Sequence, residues 1–326
     1  MFVRPAGYCL LAIAALLLAN PVSASPRLLS LAFNSSVQTP QQTGADEFGR
    51  QLVALSDRQI AVDERGGNAL GSEPAILAAT RSGAVDTAVL SGSVLTALVP
   101  EFGVFDIPFL FRDAAHAKAV VGGPVGAAIA AKCAEKGLVL LAIGEQGFRN
   151  ITNSKRPIRT PGDLRGLRIR LLPNEIYQMT FKALGAEVVP MDFPLVYGAL
   201  KDGRIDGQEN PLAVIAGTHL QDVQKYITLT GHFFGAVVFV ANRATFDQLA
   251  PADQAILLAA AKEGAELTWQ AGKELDARKL QELRSGGMDI IETVDRQPFL
   301  DVVKPLDPEF EKRFGKDMLA AIRSTP

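Results

Sequence analysis

The chemistry of this chain has to be sought among scattered polar residues, because its 326 residues contain no G-x-S-x-G, no G-x-x-x-x-G-K-[ST], no H-E-x-x-H and no paired C-x-x-C. The local geometries that make a nucleophile elbow, a phosphate cradle or a zinc site are therefore not written in these forms. The string GGPVG at 122–126 has the wrong spacing for a dinucleotide fingerprint and opens an Ala-rich stretch, so it reads as a helix start. His116, His219 and His232 lie far apart without ligand spacing and read as surface or hydrogen-bonded side chains. What stands out is local charge. Between positions 149 and 170 the basic residues are Arg149, Lys155, Arg156, Arg159, Arg165, Arg168 and Arg170, against the single acid Asp163, in a chain of net charge -2. Lys155, Arg156, Arg159 and Arg165 fit a solvated face. Arg170 ends the apolar strand LRIR, and Arg149 follows Gly147-Phe148 after the run LVLLAIG, at what reads as another strand's carboxyl end. A guanidinium offers a planar fork of donors that fits a carboxylate bidentately, which lysine cannot reproduce. At strand ends the two are candidates for a binding role, beside the plainer reading of a solvated face.

The elements that would position them alternate in type. LLSLAF (28–33) reads as a strand, Asp46 to Leu55 as a helix and QIAVD (59–63) as a strand. SEPAILAATRSG (72–83) reads as a helix with Ser72 as cap and Gly83 in the left-handed closing position, and AVDTAVL follows as a strand. This is the pattern of a parallel sheet covered by helices. The order returns with strand LRIR (167–170), a helix over 175–184 capped by Asn174 and stopped by Gly185, strand EVVPM (187–191), helix FPLVYGAL and strand RIDG. ATRSGAVD and ALKDGRID echo one another at the helix stops. Two similar α/β lobes are expected, with ligand contacts just beyond the carboxyl ends of their strands. Further on come strand AVVFVA, a long helix from Pro251 to about Leu283 bearing Trp269 as a packing residue, strand MDIIETV (288–294), and short amphipathic helices around Val302 and Phe314. Repeated crossing between lobes implies hinge bending rather than free tethering.

Composition limits the partners. With 48% hydrophobic and 21% charged residues the chain can fill one large core or two ordinary ones, and 33 basic against 35 acidic residues leave no footprint for nucleic acid. Arg4, the apolar run Tyr8 to Ala19 and the small residues of Val22-Ser23-Ala24 read as an export signal cut after Ala24. That run rises only about 18 Å as a helix, short of the roughly 30 Å of a hydrocarbon core. Cys9 would leave with the leader. Cys133, inside AAIAAKCAEKG, reads as a buried, inert thiol.

With Arg149, Arg170 and DGQENP (206–211) in view, the chain resembles the substrate-binding proteins of TRAP transporters, the DctP family. The resemblance runs through NALGSE (68–73), VFDIPFLF (104–111), GFRNITNSKRPI (147–158), DLRGLRIR (163–170), ALGAEVVPM (183–191) and VYGALKDGRIDGQENP (196–211), and more weakly VQKYITLTGH (223–232). It implies a periplasmic receptor of type II-like, two-lobed α/β fold, with a ligand cleft between the lobes and a long connecting helix. The lobe boundaries expected are 25–146 plus 236–275 for the first and 147–235 plus 276–326 for the second. The resemblance further implies that the receptor closes over a small organic acid and delivers it to separate membrane permease subunits; no cofactor is expected, no residue is assigned to a metal, and whether a metal ion assists binding is left open by the sequence. It assigns Arg170 to the ligand carboxylate, with Arg149 and Asn210 assisting, and brings Asn34 and Phe193 near the ligand. Ser91 and Ser93 would add polar contacts from the first lobe, and Phe234 a stacking surface. Ser72 and Ser91 are short where sialic-acid receptors of this family carry acids, and His232 leads into the apolar Phe233-Phe234-Gly235-Ala236. A smaller ligand is therefore expected: a dicarboxylate, a hydroxy or keto acid, or an aromatic acid. A receptor feeding a membrane sensor and a secreted enzyme acting on small acids are the rival readings.

Overall fold

The computed structural model describes residues 25–35, 39–67 and 69–326. The expected leader, with its cleavage point and Cys9, lies outside these residues, as does Asn68 of NALGSE. Ten strands occur among the described residues: β1 (Arg27–Phe33), β2 (Ile60–Arg65), β3 (Thr87–Ser91), β4 (Leu138–Asn153), β5 (Arg168–Leu171), β6 (Glu187–Pro190), β7 (Gly207–Pro211), β8 (Tyr226–Thr228), β9 (Phe234–Asn242) and β10 (Asp289–Ile291). The main strand order is β2-β1-β3-β9-β4-β7-β5-β6, with β8 and β10 attached beside β4.

The repeated β-α-β-α-β pattern is visible in this order. β1 pairs in parallel with β2 and β3, and β5 pairs in parallel with β6 and β7, so the two ends of the path mirror one another. The centre differs from the parallel sheet expected. β9 runs antiparallel to both β3 and β4, and β4 runs antiparallel to β7. β4 is one strand of 16 residues rather than a strand stopping before Arg149. Its first part pairs with β9 up to Phe148, and from Arg149 onward it pairs with β7. The transition carries a register shift between Glu145 and Gly147, and Gly147 has φ of 105°, a conformation that costs side-chain-bearing residues dearly.

Helix limits follow local chemistry. Glu73–Ser82 ends at Gly83 with φ 82°, as the sequence requires, although the Ser72 side chain makes no capping bond. Asn174 caps Glu175–Ala183 by accepting from the backbone N–H groups of Ile176 and Tyr177. The first helix begins earlier than Asp46: Thr39 accepts from the Gln42 N–H, Pro40 takes the first helical position, and the helix runs Pro40–Leu55.

β2, β1, β3, β9 and the first part of β4 form a first sheet, the rest of β4 with the remaining strands a second, and two cores flank the first. On one face Phe48 and Leu52 meet Phe239, with the Phe48 and Phe239 rings edge to face at 5.8 Å. On the other, Ile76, Phe102, Phe105, Ile129 and Cys133 pack together. Burial of a side chain of this size contributes roughly 1.5–3 kcal/mol. Cys133 is fully buried, and burial pushes its thiol up to about 12, so it is inert at neutral pH. The second sheet carries its own clusters, one with Ile169, Phe181 and Phe233, the other with Leu200, Ile215 and Ile227. Helix Pro251–Ser285 spans both lobes, packing Leu257, Ala260 and Ala261 in the first and Leu283 in the second. The tail is divided rather than wholly on the second lobe. Phe299 and Val303 join the second-lobe core, whereas Phe310, Leu319 and Ile322 pack with Val104 and Phe105 of the first.

Candidate functional site

Where the mirrored halves face one another, a cavity is lined by Asn34, Gln41, Glu73, Ser91 and Gln146 on one side and Arg149, Arg170, Leu172, Phe193, Asn210 and Val214 on the other. The strand pattern explains the gathering. Asn34 follows β1, Ser91 ends β3, Arg170 and Asn210 lie in the last residues of β5 and β7, and Gln146 and Arg149 flank the β4 transition. These are the carboxyl ends of the parallel strands, the position at which open α/β sheets collect ligands.

Arg170 is the principal anomaly. It is 0% exposed, its Nε donates to the Met191 carbonyl at 2.8 Å, and both Nη1 and Nη2 are buried without a hydrogen-bond partner. The Phe193 ring lies 5.5 Å from its guanidinium carbon. Burial, with Arg149 adding repulsion, draws its pKa down to about 10, so the group remains cationic at neutral pH. A charged fork left unpaired in a dry setting is expensive, and a carboxylate seated on both nitrogens is the direct remedy.

Arg149 is held differently. Its Nε donates to Glu209 at 2.5 Å, and its Nη2 donates at 2.9 Å to the other Glu209 carboxylate oxygen and to Asn210 Oδ1. Burial works against both charges, yet Arg149 holds the Glu209 carboxyl below its usual range and Glu209 holds the guanidinium above its own. His232 bonds Glu209 through Nε2 at 3.3 Å and Thr230 through Nδ1 at 2.7 Å, and burial lowers its pKa. Asn210 donates through Nδ2 to Gln208, so its amide braces Arg149 on one side and β7 on the other. Behind them Asp106 accepts from Asn174 Nδ2 at 2.7 Å, and burial raises its carboxyl to about 7.

Six expected residues, Asn34, Ser91, Arg149, Arg170, Phe193 and Asn210, line this cavity. Ser93 and Phe234 stand elsewhere. Ser93 lies in the turn Gly92–Ala97, where its carbonyl accepts from Asn174 and its side chain bonds Tyr177; it borders a separate groove with Leu172 and Pro173. Phe234 is consumed by ring packing, stacked on Trp269 at 5.7 Å and tilted against Phe111 at 5.2 Å, so it offers no face to a ligand.

Glu73 and Gln41 were missed, and Glu73 corrects the view that the first-lobe wall lacks an acid. Glu73 Oε1 accepts from Gln41 Nε2 at 2.9 Å and from the Ser91 N–H at 2.8 Å. In sequence Glu73 is simply an acid in a first helical turn, where it suits the helix dipole. Gln41 falls before the helix start expected at Asp46. Leu172 and Val214 look like core residues, and nothing in their type marks them.

Comparison with known proteins places this arrangement among relatives. The family described as bacterial extracellular solute-binding protein, family 7 (DctP) matches residues 31–313. A solute-binding protein of Verminephrobacter eiseniae is 37% identical over 302 residues, which cover 93% of this chain and 90% of the relative. A TRAP periplasmic solute-binding protein of a Polaromonas species, solved bound to D-erythronate, matches with TM-score 0.89 and 33% identity over 92% of this chain and 99% of that one. Another from Sulfurospirillum deleyianum, solved with bound succinate, matches with TM-score 0.87 and 27% identity over 93% of this chain and all of that one (100%).

Proposed function

The chain belongs to the DctP family of bacterial extracellular solute-binding proteins, and from that premise we propose that it serves a TRAP transporter as a periplasmic receptor, closing its lobes over a small organic acid and handing it to a membrane permease. The observation that carries this reading is Arg170, a fully buried cation whose two terminal nitrogens lack partners and face a cavity shared by both lobes. The ligand carboxylate sits on Arg170. Arg149, locked by Glu209 and Asn210, supplies a second positive field without being free to collapse onto the ligand. Asn34 and Ser91 contribute from the first lobe, Asn210 and Phe193 from the second.

The acid is bound and released unchanged. Ligand contacts on both lobes favour the closed state by differential affinity, and closure reports occupancy to the permease. The lobes are 25–146 plus 236–275 and 147–235 plus 276–326, with the last two helices folded back onto the first. An export signal over 1–24 delivers the chain to the periplasm.

A thermal-shift screen of the purified protein against small organic acids tests the proposal, since a ligand at 100 times its Kd stabilises by about 2.7 kcal/mol. At least one acid should raise the melting temperature of the natural protein and leave Arg170→Lys unmoved. Absence of any responder, equal response of the variant, or recovery of a chemically altered acid would each overturn it.

A further inference from the structure

The ends of the cavity differ in what they can recognise. Arg149 and Arg170 are the cations among its described lining residues, and Arg149 is already matched by Glu209. One cation is left for one ligand carboxylate. The opposite wall holds no cation and is rich in acceptors. Both hydrogens of the Gln41 amide nitrogen are directed inward, to Glu73 Oε1 and the Val89 carbonyl, each at 2.9 Å. The Ser91 N–H is spent on Glu73, and its hydroxyl donates to Gln146 Oε1 at 3.2 Å. Left for a ligand on this wall are the Gln41 carbonyl oxygen, the Glu73 carboxylate and the lone pairs of Ser91 as acceptors, with the Gln146 amide nitrogen as a neutral donor beside them.

Building on the receptor reading above, we infer that the ligand is a hydroxylated monocarboxylate, and that Glu73 selects it by accepting from ligand hydroxyls and repelling a second carboxylate. A dicarboxylate would place its far anion against Glu73 with no cation to match it, so it would have to enter with a proton. Burial already raises the Glu73 carboxyl against the pull of the Ser91 and Gln41 bonds, and another anion would raise it further. An ammonium group in the same place would meet Glu73, but in a cavity that holds two guanidinium ions; a neutral hydroxyl satisfies the acceptor without that repulsion. Glu73 already accepts from neutral donors, the Gln41 amide and the Ser91 N–H, and a ligand hydroxyl extends that set.

Calorimetry with acids of four to six carbons, matched in length, tests this. At each length a polyhydroxy monocarboxylate should bind about tenfold or more tighter than the dicarboxylate, the unsubstituted acid and the amino acid. Glu73→Gln keeps an acceptor and removes the charge, and should narrow the gap to the dicarboxylate by about tenfold. The natural protein gives an independent readout, free of any folding defect in the variant. Arg149 and Arg170 face Glu73 and stay protonated, while Asp106, raised to about 7 behind Arg149, titrates whichever acid is bound. The ratio of the two affinities is therefore the readout: binding of the dicarboxylate should weaken relative to that of the hydroxy acid as pH rises from 6 to 8. Equal or tighter binding of a dicarboxylate or an amino acid, or a ratio independent of pH, overturns the inference while leaving the receptor reading intact. Failure of every acid in the panel to bind defeats the receptor reading itself.

Discussion

Arg170 combines two demands that conflict in the unliganded protein: a full charge, and burial without partners for two of its nitrogens. Even a buried ion pair replaced by apolar side chains of similar volume is often neutral or stabilising by about 1–4 kcal/mol, and a buried ion with two unpartnered nitrogens has less attraction to lose. Arg170→Met should therefore raise the urea midpoint of the ligand-free protein while weakening acid binding by about 2–5 kcal/mol, or roughly 30- to 5000-fold. A variant less stable than the natural protein would mean that Arg170 is structural. The residues legible in the sequence share one property, a polar or aromatic side chain beside a strand end, and Asn34, Ser91, Arg170 and Asn210 are of that kind. Glu73 was hidden because an acid at a helix start has an ordinary explanation. Phe234 misled for the opposite reason. An aromatic side chain near a cleft looks available until Trp269, Phe111 and Phe148 are seen around it.

Among the elements, β4 and the β5–β7 edge do most to hold the site. Gly147 turns β4 from one sheet to the other at φ 105°, and a Cβ there would come 3.3 Å from the Pro211 side chain. Gly147→Ala should cost about 1–3 kcal/mol by backbone strain and crowding and should misplace Arg149, two residues on. A denaturant midpoint equal to that of the natural protein would show that the strand can relax. The start of β5 is fastened by Asp206, which accepts from the Arg168 N–H at 3.0 Å and from its guanidinium at 2.8 Å. The Arg168 bond, against a smaller opposing effect of burial, depresses the Asp206 carboxyl to about 2. Its stabilisation is therefore present above the unfolded value near 4 and lost as pH falls through 2. Because Arg168 is partly exposed, Asp206→Asn should cost about 1–2 kcal/mol at pH 7, with the difference from the natural protein shrinking in acid. A penalty unchanged at pH 2 would assign it to packing. The helix stops and the repeated element order could be read locally because Gly83, Gly185 and Asn174 act on their own neighbours. The antiparallel centre could not, since the pairing of β4 with β9 joins residues about a hundred positions apart and is set by the whole fold.

The whole molecule is tied by one strand, β4, and one long helix that pass between lobes, which favours bending at the β4 transition over separation of independent units. A ligand bridging Arg170 and Glu73 would join the second lobe to the first across that bend, and only a ligand with contacts on both sides gains differential affinity for the closed state. Solution scattering then separates capture from closure. Saturating hydroxy acid should reduce the radius of gyration of the natural protein. Glu73→Gln should retain Arg170 and weak binding yet show less compaction at equal occupancy, because one of the bridging contacts is reduced. Arg170→Met should show little compaction at ligand concentrations that just saturate the natural protein. Identical scattering of the natural protein with and without bound acid would leave a receptor that binds without closing, and the permease would then have to recognise the ligand itself rather than the shape of its carrier.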